Sequence, residues 1–121
     1  MTAPLLNLVV IRVANMQQAL QFYGWLGLEF APHQHGAGPK HYACELGTLT
    51  FELYPRSDAA QSTAATRIGF RVNGLGALLE TLQKHNVPII SPPKDSPWGL
   101  RAVVADPDGH RVELVEAVPM E

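Results

Sequence analysis

Only one cysteine, Cys44, occurs in the 121 residues, which excludes an intrachain disulfide and suits a reducing cytoplasm. Neither sign of charge dominates. Nine Lys and Arg stand against eleven Asp and Glu, so the chain carries no basic footprint for nucleic acid. No run reaches the roughly 18 apolar residues that a membrane-spanning helix needs. The opening "MTAPLLNLVVIRV" lacks the basic n-region and cleavage site of a secretory leader and reads as a strand. A phosphate-cradling loop is missing as well, since "NGLGALL" has too few glycines in the wrong context. No nucleophile, base and orienting group stand together as covalent catalysis requires. What remains is a chain of single-domain size, long enough to bury a hydrophobic core without staples.

The chain repeats itself, and the repeat sets the architecture. Shifted by 59, "LVVIRVANMQQAL" (8–20) lies over "RIGFRVNGLGALL" (67–79), with Arg12-Val13 on Arg71-Val72. Shifted by 61, "FELYP" (51–55) lies over "VELVE" (112–116), so Glu52 falls on Glu113. Module one then spans about 5–55, a small-residue linker about 56–65, and module two about 66–118.

Both modules carry the same signals. Residues 5–13 read as a strand, Asn15 as the cap of a helix beginning at Met16, and Gly27 as its end. Ala19, Leu20, Tyr23 and Leu26 should share that helix's buried face. "LEFAP" starts a strand, and "KHYACEL" and "LTFELYP" flank a hairpin turn at Gly47-Thr48. In the second half, Arg67–Val72 reads as a strand and Asn73 as the cap of a helix over 74–85, with Leu75, Leu78, Leu79 and Leu82 inward. "VPIIS" is a strand, and "LRAVVA" pairs with "HRVELVE" across the turn "DPDG". Eight strands and two helices in the order β-α-β-β-β, twice, define an α+β fold.

This pattern resembles the vicinal oxygen chelate superfamily of glyoxalases, fosfomycin- and bleomycin-resistance proteins and extradiol dioxygenases. The likeness rests on "IRVANMQQALQFYGWLGLEF" and "SPWGLRAVVADPDGHRVELVE" and covers essentially the whole chain. It implies two βαβββ modules in a curved, incompletely closed eight-stranded mixed sheet, with the helices on the convex face. The concave cup would hold a small molecule and, in most such enzymes, one divalent metal. Family ligands come from the first and last strand of each module. Those positions are Leu8 and Glu52, then Arg67 and Glu113.

Both glutamates are present and neither strand-one ligand is. Leucine has no lone pair to donate, and arginine keeps its proton at ordinary pH. A guanidinium about 5 Å from a divalent ion repels it by about 7 kcal/mol at an effective dielectric near 20. The reading is therefore no metal cofactor, with Arg67 in the metal's place as the cation facing Glu52 and Glu113. Two readings stand beside it. The glutamates face solvent without consequence, or they join a different ligand set for Zn, Ni, Mn or Fe.

Alternation along the strands places Leu8, Val10, Arg12, Thr50, Glu52, Tyr54, Arg67, Gly69, Arg71, Arg111, Glu113 and Val115 on the cup face. Val9, Ile11, Val13, Phe51, Leu53, Ile68, Phe70, Val112 and Leu114 should pack under the helices. The resemblance implies that Trp98 falls in a loop bordering the cup, where it can stack on a planar ligand, or serve as lid or dimer contact. His33, His35 and His41 lie in a Gly/Pro-rich stretch that reads as an exposed loop, although His33 and His35 could share a metal. His85 reads as a helix cap, His110 as a surface residue, Trp25 as core or interface, and Cys44 as a small buried hydrophobe.

The functional expectation is a homodimeric, bleomycin-resistance-like protein that binds a planar or anionic small molecule without metal. Its ligand-binding residues would be Arg67, Glu52, Glu113, Leu8, Trp98, Tyr54 and Arg12. The alternative is a metal-dependent lyase, isomerase or dioxygenase of the glyoxalase type, with Glu52 and Glu113 as ligands.

Overall fold

The computed structural model describes residues 2–117. The expected end of module two, at 118, lies outside them. Two compact units meet in the chain between Thr63 and Ala64, and each is a βαβββ module of the α+β fold read from the repeat.

In the first unit, β1 (Leu8–Val13) leads to α1 (Met16–Trp25), β2 (Ala31–His33), β3 (His41–Leu46) and β4 (Leu49–Pro55). The sheet order is β1-β4-β3-β2, with β1 parallel to β4 and the other pairs antiparallel. Asn15 caps α1 as expected, its side chain accepting from the Gln18 N–H at 3.0 Å. One face of the sheet buries Ile11, Val13, Cys44, Phe51 and Leu53 with Ala19, Phe22 and Tyr23 of α1. Phe22 takes the place expected for Leu20 and Leu26, which are only half-buried. Tyr23 meets Phe22 and Phe51 edge-on at 4.8 and 5.3 Å. Such pairs add about 0.5–1.5 kcal/mol each beyond the area they bury.

In the second unit, β5 (Arg67–Val72), α2 (Leu75–Lys84), β6 (Ile89–Ser96), β7 (Gly99–Ala105) and β8 (Arg111–Glu116) follow in the order β5-β8-β7-β6. Leu75, Leu79 and Leu82 are buried, as are Val112 and Leu114 of the sheet. Ile68 and Phe70 are half-buried.

Two local expectations are corrected. Asn73 does not cap α2. The cap position is Gly74, in the left-handed region at φ +68°, where a side chain would be strained. The capping oxygen arrives from β8, where Glu116 Oε1 accepts from the N–H groups of Gly74 (2.9 Å) and Leu75 (3.3 Å). A carboxylate at a helix N-terminus also suits the macrodipole. The strand read over "VPIIS" runs further than expected, to Ser96, carrying β6 through Pro92 and Pro93. Prolines are tolerated there because β6 is an edge strand and its pairing with β7 shifts register between Ser91 and Lys94.

Candidate functional site

The sheet face turned away from α2 carries a row in which Glu113 of β8 stands between Gly69 of β5 and Val103 of β7. Arginines occupy the rows above and below. Arg101 Nε donates a close, charge-assisted hydrogen bond to Glu113 Oε1, and Arg67 Nε lies 3.8 Å from Oε2. Arg101 is 29% exposed and Arg67 is 56% exposed. Arg67 therefore does face Glu113, as expected, but Arg101 is the nearer and drier partner. Arg101 is not among the expected site residues; it lies on the third strand of its module, where the same alternation turns it to the face of Glu113.

Gly69 leaves space beside Glu113. A Cβ there would meet Glu113 Cβ at 3.8 Å, an ordinary contact, so packing does not demand the glycine. Its missing side chain opens a pocket of about 380 Å³ lined by Gly69, Phe70, Arg71, Trp98, Glu113 and Val115. Trp98 sits in the β6–β7 turn, its N–H held by Ser96 Oγ at 3.2 Å, and is 65% exposed.

In the first unit the corresponding glutamate has another partner. Glu52 of β4 lies between Val10 of β1 and Ala43 of β3, and its Oε2 is 3.7 Å from His41 Nε2. His41 holds the place in β3 that Arg101 holds in β7. It is 1% exposed, which corrects its reading as an exposed loop residue, whereas His33 and His35 are exposed as expected. The ring stacks on Tyr54 at 4.1 Å, and the Arg12 guanidinium lies over Tyr54's ring at 5.1 Å. His33 pairs with His41 across β2 and β3, with the rings stacked 6.0 Å apart, and His35 lies 5.2 Å from His41. Arg12, Tyr54, His41 and His33 thus form one row across four strands. Leu8, the other strand-one position, is exposed and makes no row with them.

His110, expected at the surface, is fully buried. Asp106 Oδ1 accepts from the N–H groups of Asp108 (3.0 Å) and His110 (2.9 Å), and its Oδ2 accepts from His110 Nδ1 at 2.8 Å. The "DPDG" turn signal was legible, but the imidazole folding back under the turn was not. Ligand atoms of Asp106, Asp108 and His110 lie within 4.8 Å of one another. The buried carboxylate and imidazole answer each other there, which accounts for the cluster structurally. Cys44 is buried as expected, and desolvation pushes its thiol pKa up, so the thiolate is disfavoured.

The sequence profile of the Glyoxalase/Bleomycin resistance protein/Dioxygenase superfamily matches residues 5–114. The chain belongs to this superfamily. No curated protein sequence matches the chain. Among solved structures, the glyoxalase-superfamily chain is similar to TnmS3, an antibiotic binding protein from Streptomyces sp. CB03234, at 22% identity and TM-score 0.74, covering 98% of this chain and 99% of that one. It is also similar to the oxidase ChaP-H2, at 18% identity and TM-score 0.77, covering 97% and 96%. An integron cassette protein from the mobile metagenome of V. cholerae matches at 21% identity and TM-score 0.70, covering 98% of each. At these identities the likeness is one of fold.

The superfamily's usual divalent metal does not fit the four family positions in this member. Leu8 offers no donor, Arg67 offers a fixed positive charge, and both Glu113 oxygens face guanidinium groups. A carboxylate whose oxygens already face guanidinium groups has less lone-pair capacity left for an ion.

Proposed function

We propose that the protein binds a planar, anionic small molecule in the pocket above Gly69, and that it does so without a metal at the superfamily position. The pocket of about 380 Å³ between Trp98 and Arg71 carries this reading. An open glycine floor admits a flat ring, the exposed indole gives it a stacking surface, and the exposed Arg71 gives an anionic group a partner. Arg101 and Arg67 neutralise Glu113, so the carboxylate does not repel such a ligand. TnmS3, of the same fold, is an antibiotic binding protein, which agrees with sequestration as the role. Arg12, Tyr54, Glu52 and Leu8 belong to the first unit and are proposed as ligand-facing residues of its own open face.

The enzyme alternative, a metal-dependent lyase, isomerase or dioxygenase, draws on the retained Glu52 and Glu113. It would need two further ligands that Leu8 and Arg67 cannot supply. The test uses 2-naphthoate as the first probe, titrated against metal-free protein. Saturable quenching of indole fluorescence is expected. Calorimetry should show Trp98→Ala weakening binding about three- to tenfold, the size of one aromatic stack. A flat titration across planar carboxylates, or binding unchanged in Trp98→Ala, overturns the reading.

A homodimer in the cytoplasm completes the proposal. Leu5, Leu6, Leu8 and Val10 expose apolar surface along edge strand β1 and the segment before it, and one buried thiol suits a reducing compartment. Among the described residues no helix is long and apolar enough to cross a membrane. Sedimentation equilibrium at micromolar concentration should return twice the 13.2 kDa chain mass. A monomer mass overturns it.

A further inference from the structure

We infer that His41, Glu52, His33 and His35 form a binding site for one borderline divalent transition ion of the zinc or cobalt kind, which shares only Glu52 with the superfamily positions and takes its imidazoles from β2, β3 and the segment between them. The site needs neither of the strand-one positions, and it goes beyond the ligand-binding role proposed above.

The tautomer of His41 comes first. Its Nδ1 lies 3.2 Å from the Pro39 carbonyl oxygen. A carbonyl only accepts, so Nδ1 carries the proton and the lone pair of the neutral ring is on Nε2. This is how ligating histidines are commonly held, one nitrogen fixed by a backbone carbonyl and the other presented to the ion. Nε2 faces Glu52 Oε2 at 3.7 Å. In the neutral form of the ring both Nε2 and the carboxylate Oε2 are acceptors, so a cation held between them satisfies both. Tyr54 does not do so. Its hydroxyl is 3.4 Å from Nε2, but the two rings are within 10° of parallel, so the hydroxyl lies off the plane that holds the lone pair.

The distance discriminates. At 3.7 Å the pair is too far apart for a good hydrogen bond. Two ligands about 2.1 Å from a tetrahedral ion are about 3.4 Å apart. The gap is the size of a shared cation. His33 and His35 supply two more imidazoles, with ring centres 6.0 and 5.2 Å from that of His41. Rings sharing one tetrahedral ion have centres about 5 Å apart. Both residues are exposed, on and just after the short edge strand β2, so their rings can turn toward Nε2 without disturbing the core. Arg12, the nearby fixed cation, is on β1, and Tyr54 of β4 stands between it and His41. The donor set is three imidazoles and one carboxylate, which suits zinc, cobalt and nickel better than magnesium or calcium.

The test is titration of chelator-treated, full-length protein with Co²⁺ followed by visible absorption, and with Zn²⁺ followed by calorimetry. One equivalent per chain at micromolar affinity or tighter is expected. His41→Gln, Glu52→Gln and His35→Gln should each weaken it at least about tenfold, whereas Glu113→Gln should leave it unchanged. His35→Gln keeps the test sound if His41→Gln fails to fold, because His35 is exposed outside the core. Absence of saturable binding overturns the inference. So does binding that survives His35→Gln and Glu52→Gln, which would place the ion at Asp106, Asp108 and His110, or binding lost on Glu113→Gln, which would return it to the superfamily position.

Discussion

Replacing Asp106 with alanine is expected to destabilise the protein by about 3–5 kcal/mol, the largest loss for any single polar side chain outside the apolar core. Asp106 is only 5% exposed, and its carboxylate accepts from two backbone N–H groups and from the ring of fully buried His110. Alanine removes the acceptor of three donors, two on buried His110 and one on part-buried Asp108, and each buried donor that loses its acceptor costs about 1–3 kcal/mol. Asp106→Asn keeps one oxygen for the backbone donors but turns an N–H₂ group toward Nδ1–H. It should cost about half as much. Urea melts with an unchanged m-value are the measurement. A loss below about 1 kcal/mol in Asp106→Ala would mean that Gly109, at φ +92°, holds the β7–β8 turn with little help from the carboxylate.

Arg101→Ala is expected to cost about 2 kcal/mol, and Arg67→Ala no more than about 1 kcal/mol. Both guanidiniums face Glu113, but with different water access. The Arg101 and Glu113 side chains are 29% and 26% exposed, between the dry and wet limits for an ion pair, whereas Arg67 is mostly in solvent at a longer distance. A double-mutant cycle of Arg101→Ala with Glu113→Gln should show a coupling near 1–2 kcal/mol, and the cycle through Arg67 well under 1 kcal/mol. The assignment of Arg101 as principal partner would be wrong if Arg67→Ala proved as costly as Arg101→Ala.

These two sites bracket what sequence patterns can carry. The duplicated "RV" and "E" positions, the Asn15 cap and the "DPDG" turn are local or periodic signals. A repeat of period two tells which face of a strand a residue takes, so the shared face of Glu52, Arg12 and Tyr54, and that of Glu113, are legible in the sequence. The histidines at 33, 35 and 41 sit among glycines and prolines, and composition alone reads that stretch as solvated loop. β3 begins at His41, and pairing with β2 and β4 brings His33 and Tyr54 alongside it, which draws the ring into the sheet.

The two-module α+β fold, the superfamily and the faces of the strands are legible in the chain, because these depend on periodicities that every residue of an element shares. Which side chains become neighbours depends on how the strands pair. Glu113 meets Arg101, Glu52 meets His41, Glu116 caps α2 and His110 lies under its turn, each through strand order and register. Register is set by hydrogen bonds between segments far apart in the chain, and a shift of one residue would turn every one of these side chains to the other face. The chemistry of the open faces is therefore a property of pairing, and pairing has no local signature in the chain.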